Sequence, residues 1–145
     1  MPECMTVSKD FSDCNADDYS IILIAANYVA CRLREIPPMF SLGSIDKLDT
    51  PPAVQFISQA MKNKKIVKGA LCHALWLLTP VPSLLKGRKV ICHTVVLADI
   101  HNAGAIFVPD ESHVVVDHDL VTGRSAADLK LYTEKIEKTY LKLNS

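Results

Sequence analysis

Short apolar runs that alternate with helical stripes constrain this chain more than any other feature. "YSIILIAA" (19–26) is continuously apolar and rich in β-branched residues, as expected of a strand buried on both faces of a parallel sheet. "KIVKGAL" (65–71) reads as the next strand. Between them, Ala53, Val54, Phe56, Ile57, Ala60 and Met61 recur at helical spacing. Thr50 and Pro51 supply an N-cap and a first-turn proline, and the lysines of "KNKK" suit the C-terminal end of the helix dipole. Strands alternating with helices define a mostly parallel sheet covered by helices, with the ligand crevice outside the carboxyl ends of the strands.

The rest of the chain keeps this rhythm. "HALWLLTP" (73–80) reads as a helix halted near Pro80, and "LLKGRKVICHTVV" (84–96) as a glycine-marked turn and an apolar strand. "LADIHNAGA" (97–105) is a short helix ending at Asn102–Gly104. "HVVVDHDLVTGR" (113–124) gives two β segments around a tight "DHD" turn. Ser125 and Asp128 form a capping-box variant at the start of the last helix, whose buried stripe is Leu129, Tyr132, Ile136, Tyr140 and Leu143. Residues 27–52 hold prolines and no strong period, and loops of that length are often functional.

At 145 residues with 49% hydrophobic content, the chain is expected to form a single domain with a real core. Sixteen basic residues balance sixteen acidic ones, which points away from nucleic acid and anionic membranes as partners. No apolar run reaches the roughly 18 residues of a membrane span. The first residues are polar and mixed, unlike a leader. Cys4, Cys14, Cys31, Cys72 and Cys92 are five, without CxxC spacing, which argues against a disulfide framework and against a zinc ribbon. A reducing, cytoplasmic setting is therefore expected. No glycine-rich phosphate loop is present, so no nucleotide cofactor is expected. His101, His113 and His118, with Asp110, Glu111, Asp117 and Asp119, lack convincing ligand spacing, so no metal is expected either.

The candidate chemistry lies in "KGALCHALWLL". Cys72 falls where the strand turns into a helix, so its side chain projects above the sheet at the carboxyl end. Helix amides and the positive end of the dipole, aimed at that spot, would lower its pKa, and the thiolate is the reactive form. Such a bend is the nucleophile elbow with cysteine in place of serine. The plainer reading is a small buried apolar residue, a common use of cysteine.

"GALCHALWLL", "LLKGRKVICHTVVLADIHNAGA" and "VVVDHDLVTGRSAADL" together resemble the ThiJ/PfpI superfamily, in order and in spacing. That group includes intracellular PfpI-type proteases and the parkinsonism-associated deglycase and chaperone proteins. The resemblance implies a flavodoxin-like three-layer fold akin to class I glutamine amidotransferases, assembled as a dimer or larger oligomer. It assigns the reactive cysteine to Cys72, the adjacent histidine to His73 and a second histidine to His93, with a small carbonyl or acyl compound as substrate. Two functions are implied. One is a divergent member of weak or no catalysis that responds to oxidants; the other is a cysteine-dependent hydrolase, amidase or glyoxalase-like enzyme.

The chain departs from the family pattern at four places. The usual first strand and helix, with an acidic residue that bonds the reactive cysteine, have no counterpart ahead of "IILIAA", so a sheet truncated at its N-terminal side is expected. The family's "PGG" is Ala25-Ala26-Asn27, "CHG" is "CHA" with Ala74, and Pro37–Asp49 reads as an insertion.

Overall fold

The computed structural model describes residues 6–36, 38 and 41–145. Strands β1 (Ile21–Ile24), β2 (Val67–Leu71), β5 (Val114–Asp117) and β6 (Leu120–Gly123) form a sheet in the order β1-β2-β6-β5. β1, β2 and β6 run parallel, and β5 returns antiparallel to β6. Two-residue strands β3 (Lys89–Val90) and β4 (Ile106–Phe107) pair in parallel as a second, small sheet. The fold is therefore α/β with a mostly parallel sheet, the flavodoxin-like arrangement that the alternating pattern requires.

Helices cover both faces. On one side α1 (Val29–Leu33), α2 (Pro52–Lys62) and α3 (Leu97–Asn102) enclose Ile24, Ala70 and Leu120 together with the segment Ala74–Leu78. On the other side α4 (Leu129–Leu143) lays Tyr132 and Ile136 over Val67, Leu71 and Val121. Gly69 lets α4 approach. A Cβ there would stand 2.8 Å from Leu23 Cδ2 and 2.9 Å from Ile136 Cδ1, closer than atoms pack.

Several local expectations change in detail. β1 is an edge strand. Its Leu23 is 58% exposed, because α4 packs over β2 and β6 and leaves the outer part of that face open. Only Ile24 of its four residues is buried. α2 starts one residue later than expected, with Pro51 at the cap position. Thr50 Oγ1 donates to Lys47 O instead of capping. On α4 the ends of the expected stripe, Leu129 and Leu143, are exposed. The capping box at Ser125 and Asp128 is formed as expected.

The polar interior lies at the amino ends of the parallel strands. Lys68 is fully buried, bonded to Asn63 O and paired with the buried Asp119. Arg88 reaches the same carboxylate at 2.9 Å and Asp117 at 2.6 Å. The charges at the "DHD" turn are thus a structural network. His118, at φ +53°, occupies the turn itself. The carboxyl ends of the strands are left for chemistry.

Candidate functional site

Cys72 follows β2 directly and holds a left-handed backbone, φ +62°. A side chain in that region costs about 1 kcal/mol or more, so something must hold it. Two neighbouring segments do: Cys72 N–H donates to Gly123 O at 2.8 Å, and Cys72 O accepts from His93 N–H at 3.1 Å. The end of β6 and the segment after β3 clamp the elbow from both sides. The positive-φ turn is what gives a nucleophile elbow its sharpness.

The three residues singled out from the sequence lie together. Cys72 Sγ stands 3.0 Å from His73 Nδ1. The His73 and His93 rings stack with centroids 4.7 Å apart and planes 18° from parallel. His93 caps the turn Thr94–Val96, its Nδ1 accepting from Val95 N–H at 3.3 Å, which leaves the ring proton on Nε2.

Three further residues complete the wall, and sequence reasoning missed their part in it. Tyr28, in the turn after β1, lies 5.4 Å from the His73 ring, and Trp76 lies 5.0 Å from it. Trp76 is core, but its indole N–H donates to Asp99 at 2.8 Å. Arg34 donates to Thr79 Oγ1 at 2.7 Å and sits 5.9 Å from the Trp76 ring. The signal for Tyr28 was its place one residue past the family's "PGG" position. There Asn27 adopts φ +64°, so the turn keeps a strained backbone without glycine. Asn27 Oδ1 accepts from Tyr28 N–H at 2.8 Å.

The electrostatics correct the expectation of an acidic thiol. Burial pushes Cys72 above its ordinary 9.0, and the His73 backbone amide offsets only part of that. The physical reason lies in the following segment. Ala74–Leu77 is one 3₁₀ turn, not the α-helix expected, and so short a turn carries little dipole. His73 moves the other way: burial, then the neighbouring His93, lower it below 6.5. At neutral pH the pair is thiol and neutral imidazole.

Cys92 is buried, and burial first, then Cys72 and Asp99, push it up to about 12. Cys14 and Cys31 are free and half-buried, and Cys4 lies outside the described residues. So do positions 37, 39 and 40 of the expected insertion, of which Ile45–Lys47 forms a 3₁₀ turn. Of the histidines weighed for a metal, His113 pairs with Asp128 at 3.2 Å and His118 lies 3.9 Å from Asp117.

A cysteine on a strained elbow at the carboxyl edge of a flavodoxin-like sheet, with a histidine on its sulfur, defines a class of thiol-bearing α/β proteins. Within it, this chain belongs to the DJ-1/PfpI family, whose model matches residues 43–139. It is 29% identical over 133 residues to "Putative cysteine protease YraA" of Bacillus subtilis, spanning 92% of this chain and 68% of that protein. It is also 29% identical over 136 residues to an uncharacterized protein of Staphylococcus aureus, spanning 94% of this chain and 70% of that one. Among solved structures, it is similar to a two-domain protein from Anabaena variabilis with DJ-1/ThiJ/PfpI-like and ferritin-like domains. There the TM-score is 0.71 at 23% identity, over 88% of this chain and 32% of the other. Schizosaccharomyces pombe DJ-1 gives a TM-score of 0.66 at 17% identity, over 97% of this chain and 70% of the other.

Proposed function

We propose that this protein is a divergent DJ-1/PfpI-family member in which Cys72 is a slow, oxidant-responsive thiol. The observation that carries the reading is the 3.0 Å contact between Cys72 Sγ and His73 Nδ1 on a strained elbow. A thiol above 9 is ionised to about one part in a hundred or less at pH 7, so its resting reactivity is low. His73 supplies what the resting state lacks. As the sulfur attacks, the neutral imidazole takes the thiol proton, and the thiolate exists only during the step. With a peroxide, the sulfur attacks one oxygen, the O–O bond breaks, and the released alkoxide or hydroxide recovers that proton. The product is a sulfenic acid. His93 acts as a positioning residue that holds the His73 ring against the sulfur and keeps it neutral.

The second reading is a cysteine-dependent hydrolase, amidase or glyoxalase-like enzyme, and the likeness to the Bacillus protein's name supports it. In that case Cys72 adds to a carbonyl carbon, the C=O pair moves to oxygen, and the amide after Cys72 stands nearest to receive that charge. A reducing, cytoplasmic setting and a homo-oligomer belong to the same proposal. The four described cysteines are free, and among the described residues no helix is long and apolar enough to cross a membrane.

The test is peroxide treatment followed by peptide mass mapping, with Cys14 and Cys31 as internal references. We expect oxygen to add at Cys72 and the His73→Gln variant to slow that addition roughly tenfold or more, the usual scale of proton-transfer assistance. Equal rates in both proteins would overturn the role of His73. A Cys72 no faster than Cys14 or Cys31 would overturn the redox reading.

A further inference from the structure

A cavity separate from the Cys72 elbow lies at the carboxyl ends of β3 and β4, the position where α/β sheets receive ligands. Its volume is about 340 Å³, within the range of small-molecule pockets. Ile91, Leu97 and Phe107 make an apolar floor. Cys92 adds a thiol too basic to ionise at neutral pH.

The rim carries opposite charges. Arg124 lines it with an exposed side chain that has no ion pair among the described residues. Its guanidinium is nevertheless held. Arg124 Nη1 lies 3.4 Å from His113 Nε2, and His113 Nδ1 lies 3.2 Å from Asp128 Oδ1. Asp128 is itself fixed by Ser125 N–H at 3.0 Å and the Ser125 hydroxyl at 2.9 Å. With Nδ1–H donating to the carboxylate, Nε2 is left to accept from the arginine. His113 is bent to φ +58° and accepts Arg124 N–H at 2.9 Å, so both ends of the contact are anchored. A guanidinium oriented by a ring nitrogen instead of a carboxylate keeps its full charge for a ligand. Asp110 and Glu111 line the same cavity. Asp110 accepts two bonds from Ser112, which hold its carboxyl below 3.8 and therefore ionised.

We propose that this pocket binds a free apolar α-amino acid. The ligand's carboxylate meets Arg124, its ammonium faces Asp110 and Glu111, and its side chain covers Ile91, Leu97 and Phe107. A simple carboxylic acid would satisfy the arginine but set a third negative charge beside the two carboxylates. A simple amine would leave the guanidinium unmatched. Phosphate fails for the same reason as the acid, more strongly. The zwitterion is the small ligand that uses every charge on the rim, and binding it requires no reaction at Cys72.

Calorimetric titration of the full chain tests this with L-leucine and L-phenylalanine, and with 4-methylpentanoate and 3-methylbutylamine as the two half-ligands. At least one amino acid should bind, with both half-ligands weaker by roughly tenfold or more, the scale of a lost charge-assisted contact. Arg124→Ala should weaken binding by a similar factor, Arg124→Lys by less, and Glu111→Gln should also weaken it. Unchanged thermal melting of the variants separates loss of binding from loss of fold. The proposal is overturned if neither amino acid binds, if a half-ligand binds as well as leucine, or if Arg124→Ala retains full affinity.

Discussion

The neutral state of the Cys72–His73 pair follows from where two side chains sit. Cys72 is half-buried against the apolar cluster that Val67, Leu71 and Val121 form with α4, so ionising its thiol places a charge beside apolar surface. His73 lies among the Tyr28, Trp76 and His93 rings, which disfavours its cation for the same reason. The elbow backbone has its own consequence. Glycine tolerates φ +62° without a Cβ penalty, whereas alanine keeps the strain. Cys72→Gly should therefore melt above Cys72→Ala by an increment worth about 1 kcal/mol. Equal melting would show that the positive φ is not a source of strain.

At the scale of elements, the buried network joining β2, the β5–β6 turn and Arg88 is the most sensitive point outside the site. Burial alone would raise the Asp119 carboxyl, but the Lys68 bond and the charges of Lys68 and Arg88 outweigh it and hold it below 3.8. A carboxyl lowered on folding stabilises the protein above its unfolded value, and that share is lost as the pH falls through the folded value. The loss therefore falls below about pH 4. Asp119→Asn, which leaves Lys68 buried without its anion, should cost about 3–5 kcal/mol at neutral pH. It should also flatten acid unfolding in that window, and chemical denaturation at several pH values reads both effects. This network was not legible in the sequence, because "IVKGAL" places Lys68 within an apolar run and its partner 51 residues away. What was legible was periodic: the α2 stripe, the hairpin and the Ser125 capping box each rest on local spacing. The dipole expected behind Cys72 failed for the opposite reason. "HALWLL" has helical composition, but it closes as a 3₁₀ turn that sinks Ala74, Leu75, Trp76 and Leu77 into the core. Tertiary burial decided that segment. The elbow, by contrast, needed only the order strand, cysteine, turn, and was read correctly.

On the scale of the whole molecule, the sheet gathers segments distant in sequence at one edge. The turn after β1 brings Tyr28, the turn after β2 brings Cys72 and His73, and the segment after β3 brings His93. Among the described residues, no strand pairs with the outer edge of β1, which runs beside the exposed Ile21 and Leu23. Such an edge is a template for pairing with another chain. It is where the proposed homo-oligomer would form, through a second copy of this chain. Sedimentation of the wild type should show an oligomer that Leu23→Lys shifts towards monomer; a wild-type monomer, or a variant with unchanged mass, removes this surface from consideration. The protonation of the resting Cys72 is read from the rate of its alkylation as a function of pH. We expect a titration midpoint above 9.0, with reaction slow at neutral pH and rising about tenfold per pH unit towards that midpoint. A midpoint clearly below 9.0, towards neutral pH, would mean a standing population of thiolate and would overturn the neutral resting pair.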